Sequence, residues 1–213
     1  LLNLYRQHGR SLVDIFPKTL YYYQTSGLRR QAGLDLMERK LDLLDAMGYM
    51  SGQVLSPKGL FASWLYGYEL LLTELYTQNR LPDLGSLTLA ILMVAIVYEP
   101  RPHAAPPKSH RITKQLMTLC EPPLAQIHKM EATFHILPRT KAPAFHLAHA
   151  MDAWMANVSF DKLTKLCDVD EGEIVRYFRM TVQLLRQLAE SPVSETTLRE
   201  ARTMAEDAIR THL

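Results

Sequence analysis

The chain has 213 residues, 47% of them hydrophobic, and 24 basic against 22 acidic side chains leave a net charge of only +2. That composition supports a full core and excludes wholesale disorder, and it excludes a strongly basic nucleic-acid binder, so any such role must rest on a local patch. Two cysteines without CxxC spacing argue against a disulfide framework and for a reducing, cytoplasmic compartment, while the longest apolar run, Leu87–Tyr98, is too short to cross a membrane.

Residues 1–16 read as a helix that Pro17 interrupts, and Lys18–Gln24 as more helix or a short link. A start at Leu1, inside helix-like sequence, reads as a fragment of a longer protein. Gly27 and Gly33 bracket the basic pair Arg29-Arg30, and Leu34, Met37, Leu41, Leu44 and Met47 then recur at three- and four-residue steps, with Gly48 placed as a left-handed cap. Short extended pieces flank Ser51-Gly52, which suits a tight hairpin. Leu60–Asn79 reads as one helix, and Ser86 as the cap of a buried helix over 87–98. Pro100, Pro102, Pro106 and Pro107 make 99–110 a surface loop or linker. Helices follow over 111–119, from Pro122 to about Leu137, and, after a loop at 138–143, over 144–156, 160–167, 171–190 and 195–212. The fold class expected is mainly α, a winged-helix element with a small β-hairpin over 1–62 followed by a helical bundle over 63–213.

The sequence holds no phosphate loop, no DExH or DExD tetrad and no GxGxxG, so nucleotide hydrolysis is not expected of these residues, and no cofactor is expected either. His146, His149 and Asp152 stand at successive three-residue steps of one helix and could share a metal-facing side, or be ordinary helix surface; a structural metal needs about four ligands, and no second cluster supplies them. Cys120 and Cys167 sit in apolar surroundings and read as core thiols. Asp168, Asp170, Glu171 and Glu173 crowd the start of the helix over 171–190, where the macrodipole favours carboxylates.

That helix carries the main candidate site. Arg176, Arg179, Gln183 and Arg186 follow steps of three and four and form a basic stripe about 15 Å long, opposite the apolar Ile174, Val175, Phe178, Val182 and Leu185. Such a stripe is either a solvated face or a surface on which arginines meet phosphates and Gln183 bonds a base or sugar. Residues 160–176 also fit helix-turn-helix spacing, although four acids at the start of the second helix would repel a DNA backbone.

Gly48-Tyr49 and Val54-Leu55-Ser56-Pro57-Lys58-Gly59 resemble the wing that ends the winged-helix domain of DExH-box RNA helicases. Glu69–Leu75 with Leu81–Leu84 resembles the opening of their C-terminal helical bundle, called DSHCT. Trp154, Ser159-Phe160, Asp170–Arg176 and Leu184-Leu185-Arg186-Gln187 resemble its later part. Met180 stands where members often carry another basic residue, and the inserted arch of exosome-linked members is absent between the wing elements. The resemblance implies a monomeric module without chemistry of its own that works beside the helicase core lobes. Those lobes would bind ATP and magnesium, while the helix over 171–190 lies along single-stranded RNA as a ratchet. Two other readings stay open: a helical protein-interaction module, with Tyr21-Tyr22-Tyr23 in its surface, and a helix-turn-helix DNA-binding regulator.

Overall fold

The computed structural model describes every residue except Val193, Ser194, His212 and Leu213. In chain order the elements are α1 (Leu2–His8), α2 (Leu12–Ile15), α3 (Leu20–Gln24), α4 (Leu28–Ala46), β1 (Met50–Ser51), β2 (Val54–Leu55), α5 (Pro57–Ala62), α6 (Glu69–Thr77), α7 (Ser86–Val97), α8 (Thr113–Thr133), α9 (Ala148–Met155), α10 (Phe160–Leu163), α11 (Glu171–Glu190) and α12 (Thr196–Arg210), with 3-10 turns at Gly9–Ser11, Phe16–Lys18 and Phe145–Leu147. The fold is mainly α with one two-stranded antiparallel sheet among the described residues. The expected end of the last helix, at 212, lies outside the described residues. Contacts group Leu1–Trp64 with Ala125–Thr140 in a first unit, and Leu65–Leu124 with Lys141–Leu213 in a second. No described helix is both long and apolar enough to cross a membrane.

In the first unit, α4 ends in a Schellman motif. Gly48 takes φ 77°, its N–H reaches the Asp45 carbonyl and the Tyr49 N–H reaches Leu44, each at 2.9 Å. The motif turns the chain straight into the hairpin, whose register pairs Met50 with Leu55 and Ser51 with Val54. The turn residues are therefore Gly52-Gln53, one position later than Ser51-Gly52. Only Gly52, at φ 66°, has the positive φ that the first position of such a turn demands. The Tyr5 hydroxyl donates to the Gly52 carbonyl at 3.0 Å and ties α1 to the hairpin tip. Ser56 caps α5 by accepting from the Gly59 N–H at 3.1 Å, with Pro57 in the first turn. At Gly59 an added Cβ would lie 1.9 Å from the Tyr49 carbonyl oxygen, so only glycine lets α5 approach the strand. The single helix expected over 1–16 is broken at Gly9, where φ is 57°.

The second unit is built around α7. Leu89 to Ala95 and Val97 are almost wholly buried, because α9, α11 and α12 all pack against this apolar helix. Four expectations are corrected here. The helix expected over 60–79 is two helices, since Gly67 takes φ 92° and the chain from Ser63 to Tyr68 turns a corner. Gly85, not Ser86, occupies the cap of α7, and no side chain caps that end. The expected helix over 160–167 stops at Leu163, with the β-branched Thr164 at its C-terminal cap. The break expected before Pro122 does not occur: α8 runs through Pro122 and Pro123. Pro123 offers no N–H to the Leu119 carbonyl, and the Arg80 guanidinium donates to that oxygen instead, at 3.4 Å.

Candidate nucleic-acid interface

Helix α11 forms where acids, apolar period and end signals agree. Asp170 holds the cap position in extended backbone, Glu171 and Glu173 stand in the first turn, and the helix stops where Ser191 turns extended. Ile174, Phe178, Thr181, Val182 and Leu185 are buried, while Val175 is half-buried. The burial holds the helix against α7 and α12 and fixes which side faces water. Arg202 of α12, 2% exposed, donates to the Leu188 carbonyl in the last turn of α11, and burial pushes its guanidinium below the ordinary arginine range. Trp154 of α9 packs near Phe178, with ring centroids 5.8 Å apart, and its indole N–H donates to the Ile209 carbonyl of α12 at 3.1 Å.

On the outward side Arg176, Arg179 and Gln183 are exposed and Arg186 is half-buried. The structure brings three of these four together. Arg179, Val182, Gln183 and Arg186 line an open hollow of about 370 Å³, and Arg210 of α12 completes the wall. Glu206 lies at its edge: one carboxylate oxygen accepts from Arg186 Nε at 2.8 Å and from Arg210 Nη1 at 3.2 Å. The Glu206 side chain is 16% exposed and those of Arg186 and Arg210 are 42% and 54% exposed, so the pairs orient the guanidinium groups without removing them from water. Arg176 is not in this wall; its guanidinium lies 5.4 Å from the centre of the Tyr177 ring. Arg210 escapes sequence reasoning because its place depends on how α12 packs against α11; only its position one helical turn after Glu206 points to a paired charge.

The other flank of α11 borders a second groove of about 370 Å³, lined by Tyr66, Gly67, Tyr68, Glu99, Met180, Gln183, Leu184 and Gln187. Gln183 is a wall of both hollows. Met180 thus belongs to an aromatic and thioether lining rather than to the arginine stripe.

The start of α11 is occupied within the chain. Arg101, from the proline-rich segment, pairs with Asp170 and, at 2.9 Å, with Glu173. The Asp170 bond and the charges of Asp170 and Glu173 hold the Arg101 guanidinium above its ordinary pKa. Tyr177 Oη donates to the Glu99 carbonyl at 3.4 Å, and its ring meets Tyr98 edge-on at 4.8 Å. A helix-turn-helix reader needs a free, electropositive N-terminus on its second helix, and this end carries acids already bound by a neighbouring loop.

The other candidate stripe has its ligands inside the chain. His146 Nε2 donates to the Ala105 carbonyl at 3.1 Å and His149 Nε2 to the Ser109 carbonyl at 2.8 Å. Asp152 bonds His110 Nε2 at 2.9 Å. The Ile112 N–H approaches His110 Nδ1 at 3.3 Å, which assigns the proton to Nε2 and makes that bond a donation to the carboxylate. A proline-rich loop is short of N–H donors but rich in carbonyls, and two imidazoles satisfy them: His149 of α9 and His146, which lies not on the same helix as expected but in the 3-10 turn before it. Residues 99–109 are exposed, yet the segment is tethered along its length. Among the described residues no group of three or more His, Cys, Asp or Glu is arranged to hold a metal ion. Cys120 and Cys167 are both buried; burial pushes the Cys120 thiol up to about 12 and raises that of Cys167, so neither is a ready thiolate.

The DSHCT (NUC185) domain family matches residues 52–212. The chain is also similar to the exosome RNA helicase MTR4 of Mus musculus, 27% identical over 164 residues, and to that of Homo sapiens at the same identity and length. A third relative, the ATP-dependent RNA helicase mtr4 of Schizosaccharomyces pombe, is 25% identical over 178 residues. These alignments cover 74%, 74% and 78% of this chain but 16% of each relative, so the chain spans about a sixth of their length.

Proposed function

This chain belongs to the DSHCT family, and we propose that it is the C-terminal part of an ATP-dependent RNA helicase, in which it guides single-stranded RNA along α11. Phosphates of the strand meet Arg179, Arg186 and Arg210 in the basic hollow, Gln183 bonds a base or sugar beside them, and Arg176 extends the track by one turn. ATP and magnesium belong to helicase core lobes outside the 213 residues. The first unit, with its hairpin and α5, acts as a winged-helix element that docks on those lobes. The module works as a monomer in the cytoplasm.

One observation carries this reading: an exposed helix face where guanidinium groups from two helices converge on an open hollow, in a chain whose family relatives are named RNA helicases. Because only a few phosphates can be neutralised there, binding is weak and salt-sensitive. The test is fluorescence anisotropy at low salt with single-stranded RNA and duplex DNA. A roughly tenfold preference for the single strand, lost when Arg176 and Arg179 are changed to Glu, is expected. Equal binding of duplex DNA, or binding that survives both changes, overturns it.

A second reading rests on a separate observation in the first unit. Leu20, Tyr21, Tyr23 and Leu28 are exposed, Tyr23 to 85% and Leu28 to 90%, within one short stretch. Under that reading the chain is a protein-interaction module, and it is favoured if no nucleic acid binds at low salt while the fold is intact.

A further inference from the structure

We propose that a separate basic hollow, formed by Arg80, Arg111 and Lys114 at the start of α8, is the docking site for an acidic peptide segment of a protein partner. The hollow shares no residue with α11 and does not depend on the strand-guiding role of that helix.

It is open, about 560 Å³ in volume, and is lined by Arg80, Arg111, Lys114, Gln115, Thr118 and Leu119. Lys114, Gln115, Thr118 and Leu119 share one face of α8 through three- and four-residue steps, and Arg111 stands in the turn just before that helix. Arg80 comes from the corner after α6, whose backbone is pinned. Asn79 takes φ 55° there, its N–H reaches the Tyr76 carbonyl and the Arg80 N–H reaches Leu75, each at 2.9 Å, which makes a Schellman motif. The Arg80 guanidinium is steered by two neutral acceptors, the Gln78 side-chain oxygen at 3.0 Å and the Leu119 carbonyl at 3.4 Å. Its charge is therefore oriented without being neutralised.

Acids are scarce around these cations. Among the described residues no carboxylate lines the hollow, and none pairs with Arg80 or Lys114. Arg111 has Asp152 within reach at 3.9 Å, but that same carboxylate oxygen is bonded by His110 at 2.9 Å, and the Arg111 side chain stays 72% exposed. The placement also runs against what a helix prefers. A helix start carries partial positive charge and favours acids. Helix α11 follows that rule with Glu171 and Glu173, whereas the first turn of α8 holds no acid and carries Lys114, close behind Arg111. Like charges crowded at the positive end of a 21-residue helix oppose folding until an anion bridges them.

The lining favours a carboxylate-bearing chain over a nucleotide strand. No aromatic ring lines the hollow, so an unstacked base finds no platform there. Guanidinium groups take carboxylates through two parallel hydrogen bonds, and the exposed Gln115 and Thr118 can bond peptide amides beside them. Leu119 and the aliphatic stems of the three cations supply the apolar contact that peptide side chains require.

The experiment titrates the 213-residue chain, by anisotropy at low salt, into a fluorescein-labelled peptide of about ten residues in which aspartate alternates with glycine. The reference is the same peptide with asparagine for aspartate. The acidic peptide is expected to bind about tenfold more tightly. That advantage disappears in the double variant Arg111→Glu, Lys114→Glu and in the neutral pair Arg111→Gln, Lys114→Gln, and it persists in Arg179→Glu. Both altered side chains are exposed and acids suit a helix start, so the charge-reversed variant keeps its thermal midpoint. Equal binding of the two peptides overturns the site, as does an advantage that survives both double variants or is lost in Arg179→Glu. Oligouridylate affinity is expected to be the same in the neutral pair and in the unaltered chain. A tenfold fall there assigns the hollow to a nucleic-acid path and overturns the peptide partner.

Discussion

Helices α9 and α11 each carry a polar stripe at helical spacing, and the two have opposite fates. At α9, His149 and Asp152, with His146 of the preceding 3-10 turn, are consumed by the chain itself: they hold Ala105, Ser109 and His110 of the proline-rich loop. On α11, Arg176, Arg179 and Gln183 are exposed, the last two on an open hollow, and only the half-buried Arg186 is paired within the chain, with Glu206. Periodicity is the same in both cases. What differs is the supply of partners: a loop rich in prolines brings carbonyls that need donors, and imidazoles next to it donate. Among the described residues no comparable segment passes over the arginines. A polar stripe is therefore available for binding only after the unsatisfied backbone groups of its own neighbours have been counted.

The largest effect expected from this contrast is on affinity. Changing both Arg179 and Arg210 to Glu should weaken single-stranded RNA binding about a hundredfold, as two charge-assisted contacts are lost, while urea midpoints move little because both side chains are exposed. Asp152→Ala should do the reverse. It leaves the buried His110 Nε2–H without an acceptor and should cost about 1–3 kcal/mol in denaturant unfolding, with RNA affinity unchanged. His149→Ala removes one loop tether and should cost about 1 kcal/mol, with faster amide exchange confined to the loop around Ser109. Glu206→Gln should have the smallest effect, a stability change below about 1 kcal/mol and a severalfold gain in RNA affinity, because the carboxylate that partly neutralises Arg186 and Arg210 is gone. If Asp152→Ala lowered RNA binding as much as the arginine reversals, the two stripes would not be distinct.

The sequence was informative where local signals agreed. Helix α11 runs over the expected residues because acids at its start and an apolar period point the same way. The α4 cap and the hairpin follow from Gly48 and Gly52, two positions where positive φ is needed. Legibility failed where a distant group decided the outcome. Pro122-Pro123 argue for a break, yet α8 continues, with a side chain more than thirty residues earlier, Arg80, serving the Leu119 carbonyl. The apolar run over 60–79 gave no sign of the corner at Gly67 beyond the glycine itself. Half of the candidate site was visible as a stripe on one helix. Arg210, Glu206 and the Tyr66 groove were not, because they meet α11 only through tertiary packing.

The most direct measurement is the salt dependence of single-stranded RNA affinity for the unaltered chain and for Arg179→Gln. Each phosphate neutralised on a single strand contributes about 0.7 to the slope of log affinity against log salt. The variant should lose about that much slope and bind more weakly at low salt. An unchanged slope with unchanged affinity would show that no phosphate reaches Arg179, and that the exposed face of α11 is ordinary solvated surface.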